Sequence, residues 1–196
     1  GNLLGEEQSG HIKEVGVELY QHLLEEAVVR ARSEQSGSDV AMPDEWSAAV
    51  NLGTAVLIPE AYVSDLGIRL GLYRRIAQLQ TPEEIESLAG EMIDRFGSLP
   101  AEVESLLKIV SIKQLCQQAG VAKLDAGPRG ATVSFHNASF NNPGGLVEFL
   151  SKQSGTAKLR PDHTLVLMRD WSDDKKRVRG AHDLIKALAG IAAKAA

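Results

Sequence analysis

The sequence is poor in the residues and patterns that mark an enzyme, a secreted protein or a membrane protein. It has one cysteine, Cys116, which excludes an internal disulfide and suits a reducing compartment. No apolar run approaches the roughly 18 residues that a membrane span needs, and no signal-peptide pattern precedes the first helical stretch. The five histidines, His11, His22, His136, His163 and His182, share no metal-ligand spacing with one another or with Cys116. Gly127-Pro128-Arg129-Gly130 lacks the Lys-Ser/Thr ending of a phosphate loop and joins two strand-like runs, so it reads as a turn. There is no nucleophile elbow, no pair of catalytic acids and no dinucleotide fingerprint. Cys116 lies mid-helix among glutamines with no neighbouring base, which fits a buried, inert thiol. Asn137-Ala138-Ser139 matches a glycosylation sequon that has no meaning in a cytosolic chain. These absences argue against catalysis by this chain and leave no cofactor or metal to expect in it.

What is present is ordinary in amount and uneven in distribution. Apolar residues make up 43 % and charged residues 24 % of 196 residues, enough for one large domain or a domain with an arm. The net charge of −5 conceals an asymmetry. Residues 1–60 carry 3 basic and 11 acidic groups, residues 61–104 carry 4 and 8, and residues 105–196 carry 14 and 7. An acidic front half repels phosphates and argues against nucleic acid as its direct partner. The basic run Lys175, Lys176, Arg177 and Arg179 could touch a phosphate backbone, but reads first as the solvated face of a terminal helix.

The chain opens at Gly1–Gly10 without a methionine, which reads as the tail of a larger motif. From Gly10 to about Arg32, Ile12, Val15, Leu19, Leu23 and Ala27 recur at helical spacing. A polar stretch, Ser33 to Asp39, then reads as a linker, and Trp46 beyond it as a packing residue. Residues 48–58, apolar and stopped by Pro59, suggest an extended segment. Three helices are expected next. The first, about 64–79, has Leu66, Leu70, Tyr73 and Ile76 as its inner stripe. The second opens on Thr81-Pro82-Glu83-Glu84, a cap with a capping-box glutamate, and ends at Phe96 with Gly97 in the left-handed position. The third starts at Pro100, carries Val103, Leu106, Leu107, Val110 and Leu115, and ends at Gly120.

The period then changes from helix to strand. Val121–Asp125 and Ala131–Phe135 read as a hairpin, Asn141-Asn142-Pro143 starts a short helix through Leu150, and residues 156–160 and 164–168 pair as strands. Ser172 or Asp173 caps a last helix. The fold class expected is α+β: helices packed on a small antiparallel or mixed sheet, preceded by a helical arm.

One constellation suggests function. On the helix over residues 82–96, Ile85, Leu88, Met92 and Phe96 share one stripe, while Glu84, Ser87, Glu91 and Asp94 cluster nearly opposite. Glu91 and Asp94 are three apart and therefore surface neighbours. Such a face is either solvated surface or a docking face for an arginine-rich partner.

Several separated motifs also resemble a known family. They are Gly1–Gly10, Gly16-Val17-Glu18-Leu19-Tyr20, Tyr73-Arg74-Arg75-Ile76 and Ile93-Asp94-Arg95-Phe96-Gly97, with Leu106-Leu107 and Lys123-Leu124 continuing the match. In this order they resemble the C-terminal part of bacterial transcription-repair coupling factors (Mfd), over essentially the whole chain. The resemblance implies a parent that is an ATP- and magnesium-dependent superfamily 2 DNA translocase of transcription-coupled nucleotide-excision repair. That parent binds double-stranded DNA and RNA polymerase and recruits UvrA, in the bacterial cytoplasm. It further implies that Gly5, Glu6, Gln8 and Gly10 are a remnant of the translocation motif shared with the RecG helicase. The arginine that the family places just before Gly1 lies outside this sequence.

The implied layout is a motif end and helical arm over 1–34, a linker over 35–46 and a C-terminal regulatory (TRCF) domain over 47–196. In that family the domain packs on the N-terminal UvrB-like module of the same chain, masks its UvrA-binding surface and represses the motor. Acidic residues matching Glu91 and Asp94 take part in that contact, with Glu84 on the same face. The expectation is therefore a non-catalytic, autoinhibitory domain with weak or absent DNA binding of its own. The alternative is a nucleic-acid-binding or RNA-polymerase-interaction module that uses the basic C-terminal half.

Overall fold

A computed structural model describes residues 46–194. The expected arm, the linker up to Glu45, and Gly5, Glu6, Gln8 and Gly10 lie outside the described residues. The described chain divides into two compact units: residues 55–110, and residues 46–54 with 111–194.

The first unit begins without regular structure. Helix α1 (Leu66–Ala77) follows, capped by Asp65, whose carboxylate accepts the Ile68 N–H at 2.9 Å. Its buried residues are Leu72, Tyr73 and Ile76, whereas Leu66, expected on the inner stripe, is 56 % exposed. The inner face starts one turn later, at the half-buried Leu70. Helix α2 (Pro82–Phe96) starts at its expected residue, with Pro82 in the first turn and Thr81 Oγ1 accepting the Glu84 N–H at 3.2 Å. Glu84 reaches back one residue further than a capping box requires, and its carboxylate accepts the Gln80 N–H at 3.3 Å. Leu88 and Met92 are buried and Ile85 and Phe96 half-buried, as the stripe predicts. Gly97 ends the helix at φ 96°, a positive value that favours glycine, but its ψ of −171° lies outside the left-handed helical region.

Two tyrosines fasten this unit. The Tyr73 hydroxyl accepts the buried Ile58 N–H at 2.7 Å. The Tyr62 hydroxyl donates at the end of α2, lying 2.7 Å from the Gly97 carbonyl and 3.2 Å from that of Met92. Its ring meets Phe96 edge-on, with centroids 5.8 Å apart.

Helix α3 (Ala101–Ala119) carries the chain from the first unit into the second. In the second unit a five-stranded sheet forms from β1 (Ala49–Asn51), β2 (Val121–Gly127), β3 (Gly130–Phe135), β4 (Ala157–Leu159) and β5 (Leu165–Met168). The spatial order is β1-β2-β3-β5-β4. β1 runs parallel to β2 and every other pairing is antiparallel, so the sheet is mixed. The extended segment expected over 48–58 shrinks to the three residues of β1. Gly53, at φ 64°, breaks the strand two residues beyond its end.

Alternation along the strands buries one face of the sheet through Val50, Leu124, Ala126, Val133, Phe135, Leu165 and Leu167. Helix α4 (Pro143–Ser151) is capped by Asn142, and helix α5 (Asp174–Ala193) by Asp173, one of the two expected candidates. α5 lies against β2 and α4. The side chains of Asn141 and Asn142 donate to the Ala192 and Ile191 carbonyls at 3.0 and 3.2 Å, closing the end of α5. Gly130 is obligatory at its position: φ is 132° and an added Cβ would sit 1.9 Å from the Leu167 carbonyl oxygen.

Candidate functional site

The candidate site lies on the first unit, along α2. Seven residues, about two turns, separate Glu84 from Glu91, and Asp94 follows three residues on. Glu84 and Asp94 are exposed and Glu91 half-buried, whereas Leu88 and Met92 of the same helix are buried. Glu83 and Glu84 lie in the first turn, where the helix dipole favours them.

The geometry adds something that the acidic pattern did not suggest. Glu91 is not a bare carboxylate. Arg75, in the last turn of α1, grips it with both guanidinium nitrogens: Nη2 donates to Oε1 at 3.0 Å and Nη1 donates to Oε2. Arg95, one turn further along α2, donates to the same Oε2 at 3.3 Å and lays its guanidinium over the Phe96 ring at 4.8 Å. The hydrogen bond from Arg75, helped by its charge and by Arg95, holds the Glu91 carboxyl below the usual carboxylate range, and Arg75 is raised in turn. Asp94 and Glu84 have no ion-pair partner among the described residues. The face thus has one carboxylate held by two arginines and two charges open to solvent. The spacing on α2 located the carboxylates. The partner on α1 is sixteen residues away, and no helical period reports it.

In the second unit the basic run divides. Lys175, Lys176 and Arg179 are exposed, as a solvated helix face requires, but Arg177 is 5 % exposed. Its Nε donates to the Trp171 carbonyl at 3.1 Å and its Nη1 to the Leu52 carbonyl at 3.0 Å, with Asp174 at 3.4 Å. Arg177 is therefore a structural staple and no part of a phosphate-binding surface. Cys116 is fully buried, and that burial pushes its thiol up to about 12. Trp46 packs as expected, stacked on His136 with centroids 4.4 Å apart, while its carbonyl accepts from Gln117 at 2.8 Å. No cluster of three or more metal-ligating side chains exists among the described residues. No described helix is long and apolar enough to cross a membrane.

Known proteins share this architecture. A solved structure described as the C-terminal domain of transcription-repair coupling factor superposes with a TM-score of 0.61 at 19 % identity, covering 78 % of this chain and 98 % of that one. The fold is that of a TRCF C-terminal domain. Residues 52–146 match the TRCF domain family model. The transcription-repair-coupling factor of Rickettsia conorii is 44 % identical over 192 residues, 97 % of this chain, and that of Escherichia coli K12 is 35 % identical over 190 residues, 96 % of this chain. The chain belongs to the transcription-repair-coupling factor family and spans about 16 % of the length of these relatives. The matched stretch includes the whole of α2 and none of the basic run on α5.

Proposed function

We propose that this chain is a non-catalytic regulatory segment of a transcription-repair coupling factor, and that it holds its parent in a repressed state through the acidic face of α2. The partner in this reading is the parent's own N-terminal UvrB-like module, whose UvrA-binding surface the contact masks. The parent would be an ATP-driven DNA translocase that also binds RNA polymerase, with its motor residues upstream. The observation that carries the reading is the pair of solvent-facing carboxylates, Glu84 and Asp94, flanking Glu91 on a helix whose other side is buried. That helix lies wholly inside the stretch matched by the family model, which favours it over the basic C-terminal run as the family's common surface. Small charged contacts at an exposed face contribute modestly and are screened by salt, which suits a contact that must release.

The test is charge reversal in the intact parent. Glu91→Lys with Asp94→Lys should raise both UvrA binding and DNA-dependent ATPase, while this chain carrying the same changes stays folded. Wild-type levels of both activities in a folded double variant would end the reading. A low-salt titration of this chain with duplex DNA addresses the nucleic-acid alternative, for which tight, steeply salt-dependent binding is the signature.

A further inference from the structure

We infer that Arg75 is a specificity-determining residue of the acidic face: it occupies Glu91 in place of the partner, so docking proceeds by exchange of one guanidinium for another and selects arginine over lysine. The inference rests on the docking reading above and adds the chemistry of the partner. Glu91 offers two oxygens, and Arg75 donates to each of them. Arg95 takes a further position on Oε2 and is tied to Glu91 along the same helix, so it stays through the exchange. Glu91 with its two arginines carries a net positive charge and attracts no cation from a distance.

Asp94, three residues further on and without an ion pair among the described residues, is where a basic partner is first drawn. From there the partner can take over Glu91 only by replacing both hydrogen bonds that Arg75 gives up. A guanidinium presents two parallel N–H groups matched to a carboxylate, whereas an ammonium is a single point charge. The exchange is feasible because both members of the pair reach solvent: the Arg75 side chain is 48 % exposed and that of Glu91 38 %. It also releases the last turn of α1 from α2, since the pair bridges these two helices.

The test uses this chain against the separately expressed UvrB-like module of a transcription-repair coupling factor, by titration at low salt. Arg75→Gln removes the competitor, and binding should tighten roughly two- to fivefold, the range of an exposed ion pair. Adding Glu91→Gln should erase that gain. Arg75→Lys, which keeps the charge without the fork, should fall between wild type and Arg75→Gln. Changing to lysine the exposed arginines of the module one at a time should reveal at least one whose loss weakens binding to the wild-type chain more than to the Arg75→Gln chain. Unchanged or weaker binding by folded Arg75→Gln, with Asp94→Lys still weakening it, overturns the exchange and leaves the docking face standing. If Asp94→Lys is also without effect, the docking reading fails and the exchange falls with it.

Discussion

The two units of this chain use arginine in opposite ways. In the helical unit Arg75 and Arg95 sit at the surface around one carboxylate, with side chains nearly half exposed. In the sheet unit Arg177 is buried against two backbone carbonyls and cannot leave without exposing them. The first kind of contact is weak, screened by salt and suited to switching; the second is costly to break and suited to holding a fold. The net charges follow the same division. Residues 55–110 hold 9 acidic and 5 basic side chains, whereas residues 46–54 with 111–194 hold 7 acidic and 13 basic ones.

Removing Arg177 should give the largest effect. Arg177→Met keeps the stem and deletes the donors, leaving the Trp171 and Leu52 carbonyls without their partner, at a cost of about 3 kcal/mol. Urea unfolding followed by tryptophan fluorescence measures it directly, since Trp46 and Trp171 both lie in the second unit. A loss well under half of that would show that Arg177 is dispensable and that the contrast between the units is overdrawn.

The matching change in the first unit is Tyr73→Phe, which leaves the buried Ile58 N–H without its acceptor and should cost about 2 kcal/mol. Far-UV circular dichroism, which reports the helices, should register this loss. If tryptophan fluorescence shifts by the same amount, the two units unfold as one; if it does not, each has its own stability.

The smallest effect is silent at neutral pH. Cys116 has an ordinary value of 9.0 and is pushed up to about 12 by burial, so the folded state keeps a proton that the unfolded state loses. The associated stability is fully present below pH 9 and is lost progressively as pH rises towards 12. Cys116→Ser should flatten that alkaline decline. In the folded wild-type chain the thiol should resist alkylating reagents and react only on unfolding. Rapid labelling of the native chain would contradict its burial.

Local sequence signals carried much of the fold because they act over one turn or one strand. Thr81, Pro82 and Asp173 fixed helix starts through short-range caps, and the alternation in Val121–Gly127 and Gly130–Phe135 fixed the hairpin. What stayed hidden was set by distant parts of the chain. The parallel pairing of Ala49–Asn51 with Lys123–Asp125 joins segments more than seventy residues apart. Arg177 looked solvated because its neighbours are, and only the Leu52 carbonyl, brought from 125 residues away, makes it a buried residue. The acidic face was legible as a pattern on α2, but its pairing was not. Glu91 and Asp94 look equivalent in the sequence, yet only Glu91 has a resident arginine.

That inequality sets the decisive measurement. Asp94→Lys alone leaves Arg75, Glu91 and Arg95 in place and reverses one of the two open charges of the face. The measurement is UvrA affinity of the intact parent carrying this single change, beside the wild type at the same salt. A latch on the acidic face of α2 predicts tighter UvrA binding by the variant, with the difference shrinking as salt is raised. Equal affinity at low salt, in a variant whose unfolding is unchanged, would contradict it.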